Sequence, residues 1–102
     1  MPPNTPYFLM GDLNAIPETP EIKLLSQSMN DTRIHSEVTV FGQSGTFNGF
    51  NPSVAPTRRI DYIFASRDSI RVISYATFSD LVDQRFPSDH FPVVARCELL
   101  KK

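Results

Sequence analysis

Three short acidic motifs carry the groups in this chain that could do chemistry: Gly11-Asp12-Leu13-Asn14, Arg59-Ile60-Asp61-Tyr62-Ile63-Phe64 and Ser88-Asp89-His90-Phe91-Pro92-Val93. They supply the carboxylates of Asp12, Asp61 and Asp89, the carboxamide of Asn14 and the imidazole of His90. Those are the groups that a divalent cation and a phosphate ester need around them: oxygen ligands, a positioned base and a donor for developing negative charge. Each motif also has a bland reading. Gly-Asp-x-Asn is good turn chemistry, Asp61 finds a structural partner in Arg58 or Arg59, and Asp89-His90 is a surface turn closed by Pro87 and Pro92. Asp61 is the least easily dismissed, because a carboxylate in a strand otherwise apolar on both faces is costly to bury unpaired. The ordered trio outweighs any one member.

The elements that must position these groups can be read around them. Tyr7-Phe8-Leu9-Met10 is a short apolar run, the pattern of a strand buried on both faces, and it delivers Asp12 and Asn14 at its end. A helix follows, with Thr19 as N-cap, Pro20 in the first turn and Glu21 near the positive end. Ile22, Leu25 and Met29 sit at helical spacing, and the helix fades near Asn30-Asp31. Residues 31–59 are irregular, with a weak alternating piece at Val38–Phe41 and breaks at Gly42, Gly45, Gly49, Pro52 and Pro56. Strands are predicted over Ile60–Ala65 and Ile70–Phe78, joined by the hairpin loop Ser66–Ser69, and over Phe91–Leu100. If the first strand runs antiparallel to the later ones, Asp12, Asp61, Asp89 and His90 gather at one edge of one sheet.

Composition bounds the answer from outside. The chain has 102 residues and a formal charge of −1, so it is at most one small domain without a polyanion-binding charge signature. Its single Cys97 excludes an intrachain disulfide and a multi-cysteine zinc site, and reads as a buried strand residue. His35, in a polar segment, reads as surface. No stretch reaches the length of a membrane span, and the opening Met1–Pro6 reads as a loop without the apolar core of a leader.

In order and in flanking hydrophobic context, the three motifs resemble the second half of the endonuclease/exonuclease/phosphatase family, which includes DNase I-like nucleases. The resemblance runs from Phe8 to about Cys97. It implies an α+β fold: one mixed, mainly antiparallel sheet with a helix on one face, half of a four-layer sandwich, with residues 1–102 as the C-terminal half of the domain. It implies that Asp12 orients or deprotonates the attacking water and that Asn14 donates to the phosphate. Asp61 would hold His90, His90 would contact a non-bridging phosphate oxygen, and Asp89 would serve a Mg²⁺ or Mn²⁺ ion. Arg58, Arg59 and the loop containing Phe47, Asn48 and Phe50 are the candidates for substrate contact.

The family's first half carries an early Asn, a metal-binding Glu in a Gln-Glu motif and a further His, and no Gln-Glu occurs here. Cation binding is therefore expected to be weak, and the sheet face that meets the missing half is expected to be apolar and uncovered. Such a face favours a homo-oligomer or a partner supplying the first half. Substrates compatible with the half-site are a nucleic acid, an inositol phosphate or a phospholipid headgroup. The rival reading is a non-catalytic assembling remnant or a phosphate-binding module.

Overall fold

Thr19 starts the main helix as its sequence dictates: its hydroxyl accepts the Ile22 N–H at 3.4 Å, and Pro20 occupies a position where a missing N–H costs nothing. The structure, a computed structural model, describes residues 5–51 and 57–100. Within them the order is β1 (Phe8–Asp12), α1 (Pro20–Ser28), β2 (Met29–Asp31), α2 (Thr32–His35), β3 (Asp61–Ser66), β4 (Ile70–Thr77) and β5 (Val93–Leu99). The expected breaks at Pro52 and Pro56 lie outside the described residues.

β3 is the organising strand. It runs antiparallel to β1 on one side, with Phe8 opposite Ala65 and Asp12 opposite Asp61, and antiparallel to β2 on the other, with Asp31 opposite Phe64. β4 and β5 form a separate antiparallel ladder from Ile70↔Leu99 to Thr77↔Val93. The α+β class with mainly antiparallel strands holds. The single sheet divides into two ladders, however, and Ser66–Ser69 does not close a hairpin. Both edges of β3 are already taken, so β4 turns away to pair with β5. A hydrogen bond between the Ser66 and Ser69 hydroxyls (2.7 Å) fixes that turn.

Helix α1 ends before Asn30-Asp31. Met29 leaves it and enters the three-residue β2, too short to leave a periodic signal. Ile22, Met29, Tyr62 and Phe64 form one buried cluster between α1 and β3, while Ala65, Ile70 and Val72 form a second with Cys97 packed against it. Cys97 is half-buried rather than buried, and the burial it has pushes its thiol pKa up. Val38–Phe41 is not a strand; it runs beside β4, with the Val38 N–H on the Ile73 carbonyl and a single bridge from Phe41 to Ala76. Gly42 ends that stretch in a left-handed conformation (φ +83), where a Cβ would lie 2.1 Å from the Thr77 carbonyl oxygen, so no other residue fits.

The expectation that the first strand is buried on both faces is corrected. Phe8, Leu9 and Met10 are 42%, 39% and 59% exposed. Within the described residues β1 pairs only with β3, so its outer edge stays open and its side chains on both faces remain partly in solvent. His35 is exposed, in agreement with its polar sequence context.

Candidate functional site

The register of β1 against β3 sets the site. With Asp12 directly across from Asp61, the end of one strand and the start of its neighbour present their carboxylates together. Beyond Asp12 the chain turns through Asn14 in a left-handed conformation (φ 51), and the Asn14 N–H donates to the Asp12 carboxylate at 2.8 Å. The Leu13 N–H holds the turn to the Ile60 carbonyl at 2.9 Å.

His90 arrives from the other ladder. Its Nδ1 lies 2.7 Å from Asp61 Oδ2, which directs Nε2 into the space between Asp12 Oδ2 (3.7 Å) and Asp89 Oδ1 (4.0 Å). The Ser88 hydroxyl accepts the His90 N–H at 3.1 Å, and Phe47 packs edge-on to the imidazole at a centroid distance of 5.4 Å. The hydrogen bond to Asp61 raises the pKa of His90 above its ordinary 6.5, and the charges of Asp61, Asp12 and Asp89 add to the rise against a smaller opposing effect of burial. The imidazole is therefore held more basic than a free histidine, beside two exposed carboxylates.

Ligand atoms from Asp12, Asp61 and His90 all lie within 4.8 Å of one another. Asp61 is engaged by the imidazole, whereas the Asp12 and Asp89 carboxylates stand partly in solvent, with side chains 47% and 45% exposed. Hard, accessible carboxylate oxygens suit a divalent cation, and no thiolate joins this group among the described residues.

The candidates for substrate contact divide. Phe47 lines the site against His90, Arg58 lies over the Phe47 ring at 5.9 Å, and Phe50 is 60% exposed. Asn48 is buried: its amide donates to the Ser88 carbonyl at 2.9 Å and its oxygen accepts the Phe50 N–H at 2.6 Å. It shapes the loop that backs Asp89. The expectation of substrate contact is corrected for Arg59, which is 4% exposed and spends its guanidinium on Asp31 through two hydrogen bonds of 2.5 and 2.6 Å. The guanidinium also lies 4.6 Å from the Tyr62 ring centroid. The carboxylate that holds this side chain in the core comes from β2.

Thr46 is the residue that sequence reasoning misses. Fully buried, its hydroxyl accepts both the Ile60 N–H (2.9 Å) and the Asp61 N–H (3.1 Å), and its carbonyl accepts the Phe91 N–H at 2.7 Å. One side chain thus fixes where Asp61 begins β3 while its backbone anchors the residue after His90. A lone Thr in an irregular, glycine-bearing stretch gives no periodicity from which this could be found.

The sequence pattern of the Endonuclease/Exonuclease/phosphatase family matches residues 2–90. Among curated proteins none matches the chain. Solved structures do. A functionally unknown conserved protein from Enterococcus faecalis V583 is 33% identical with a TM-score of 0.85, over 93% of this chain and 37% of that one. A mannosyl-6-phosphatase from Bacteroides thetaiotaomicron VPI-5482 is 30% identical with a TM-score of 0.77, over 95% of this chain and 39% of its own. An endonuclease/exonuclease/phosphatase from Bacteroides vulgatus is 25% identical with a TM-score of 0.83, again over 93% and 37%. The chain spans less than two fifths of the length of each of these three proteins.

Proposed function

Since the chain belongs to the endonuclease/exonuclease/phosphatase family, we propose that it is the C-terminal half of a divalent-cation-dependent phosphoesterase domain that hydrolyses a phosphate ester with activated water. The observation that carries this reading is the 2.7 Å bond between Asp61 and His90, which aims the imidazole Nε2 between Asp12 and Asp89. His90, oriented by Asp61 and made more basic by that bond, donates to a non-bridging phosphate oxygen as negative charge builds there. Asp12 orients the attacking water and takes its proton, and the Asn14 carboxamide donates to the phosphate. Asp89, with Asp12, would hold Mg²⁺ or Mn²⁺. A cation bound there supplies positive charge to polarise the phosphoryl group.

Coverage of 37–39% of three solved relatives supports reading residues 1–102 as part of a larger domain. On that reading the isolated chain binds its cation weakly and turns over slowly or not at all. The exposed Phe8 and Met10, on the face of β3 opposite α1, support a covering partner: a second copy or the first half of such a domain. Substrate candidates are a nucleic acid, an inositol phosphate and a phospholipid headgroup. The relative named a mannosyl-6-phosphatase favours a phosphomonoester, and a net charge of −1 gives no support to a long polyanion.

The test is Mg²⁺-dependent hydrolysis of a monoester and diester panel by the chain alone and by the chain mixed with the complementary portion of the Enterococcus faecalis protein. Turnover in the mixture that disappears with His90→Ala is expected. Turnover unaffected by that substitution, or none in either arrangement, counts against the reading.

A further inference from the structure

A cavity of about 210 Å³ opens beside the imidazole, walled by Phe78, Pro87, Phe91 and Pro92, with His90 on one side and Asp80 among its lining residues. Its volume is below the roughly 300–1,000 Å³ of pockets for drug-sized ligands, so it has room for one ring rather than a chain. The walls are held in place. The Phe78 N–H donates to the Pro92 carbonyl at 3.0 Å, Phe41 packs on Phe78 with centroids 5.9 Å apart, and Phe86 meets Phe91 edge-on at 5.0 Å.

The chemistry of the lining is selective. Among the described residues, the one ionisable group apart from His90 is the Asp80 carboxylate; no described Lys or Arg lines the cavity, and the Ser88 hydroxyl, which accepts the His90 N–H, is neutral. A leaving group carrying a second phosphate would bring an anion to Asp80 with no cation to receive it. Hydroxyls, by contrast, donate to a carboxylate in charge-assisted bonds. Phe78 lines the cavity and is 39% exposed, so part of its apolar ring is open to C–H groups, while Phe91 is 5% exposed and presents little of its ring. A single accessible ring is a poor cage for a quaternary ammonium, which takes several aromatic faces.

We propose that this cavity is the leaving-group subsite and that it takes a neutral, polyhydroxylated ring, a hexose carrying one phosphate, with Phe78 against the ring and Asp80 accepting its hydroxyls. The proposal rests on the phosphoesterase reading, because only that reading places a phosphate at His90.

The test is an NMR titration of the 102-residue chain with Mg²⁺ present, using inorganic phosphate, glucose 6-phosphate, mannose 6-phosphate, fructose 1,6-bisphosphate and phosphocholine as probes. At least one hexose 6-phosphate is expected to bind about tenfold tighter than inorganic phosphate, a gain within reach of one charge-assisted hydrogen bond. The bisphosphate should lack that gain. Phe78→Ala and Asp80→Asn should each bring the ratio of hexose phosphate to inorganic phosphate affinity close to one, and Asp80→Lys should turn the preference towards the bisphosphate. Phe78 and Asp80 are exposed side chains, and amide spectra of the variants check that the fold is kept. Hexose phosphates binding no tighter than inorganic phosphate, phosphocholine binding as tightly as the hexose ester, or a gain that survives both variants overturns the subsite. Inorganic phosphate bound without any gain for the esters removes the subsite alone. No binding by any probe also overturns the subsite, while the phosphoesterase reading stands or falls separately on hydrolysis by the chain mixed with its complementary portion.

Discussion

At the scale of single residues, the Asp61–His90 pair decides how the site behaves. Asp61 keeps the imidazole protonated to higher pH than a free histidine, and its geometry leaves Nε2 facing the open carboxylates. In the cation-free chain, Asp61→Asn is expected to move the His90 titration down towards 6.5, measured from its ring-proton chemical shifts. The same shift has a stability consequence of fixed sign. His90 has a raised folded-state pKa, so its contribution is fully present below the unfolded value of about 6.5 and is lost as pH rises through the folded value. The thermal midpoint of the cation-free chain should therefore decline over that window, and the decline should flatten in Asp61→Asn. A midpoint that rises there contradicts the assignment. These residues are legible in the sequence because each motif joins an apolar run to a turn. Arg59 is not, because adjacent arginines look alike in a sequence. Only the fold shows that one is exposed over Phe47 and the other is buried against Asp31.

At the scale of elements, two ladders meet at the site, and the loop around Thr46 fastens them. Its hydroxyl holds the first two N–H groups of the β3 entry, its carbonyl holds Phe91, and the Asn48 N–H reaches the Asp89 carbonyl at 2.8 Å. Thr46→Val keeps the volume and removes the acceptor from two N–H groups. It should cost about 1–3 kcal/mol, read from chemical denaturation. It should also broaden or shift the His90 ring signals, because Asp61 loses its register against the second ladder. Thr46→Ser, which keeps the hydroxyl, should restore most of both. The sequence yields the start of α1 and, to within one or two residues, β4 and β5, since cap chemistry and apolar patterning are local, but it runs α1 on through Met29. It does not yield β2, a strand of three residues, nor the partner of β4. Whether β3 has a free edge is a property of β1 and β2, far away in the chain.

At the scale of the whole molecule, apolar surface is distributed unevenly. Tyr62 and Phe64 are sealed beneath α1, while Phe8 and Met10, in register with Ala65 and Ile63, stand on the opposite face of the same ladder. An exposed apolar face next to an open strand edge favours association. The chain is expected to sediment as an oligomer at micromolar concentration, and the double variant Phe8→Lys/Met10→Lys as a monomer with an unchanged far-ultraviolet spectrum. A wild-type chain that sediments as a monomer removes the oligomer reading. The apolar run at Tyr7–Met10 reveals the strand but not its cover, because what lies above a sheet is set by tertiary neighbours.

The order of the strands along the chain also has a temporal side. β1 is made before β3, its partner in the ladder, with Phe8 waiting for Ala65. At about 5–20 residues per second, ribosomal synthesis leaves that apolar strand unpaired for a few seconds. His90 comes later still, so Asp12 and Asp61 can be paired before the imidazole that links them to Asp89 exists. The nascent chain thus passes through an interval in which its stickiest strand is displayed and its chemistry is unfinished, the interval in which a chaperone has most to hold.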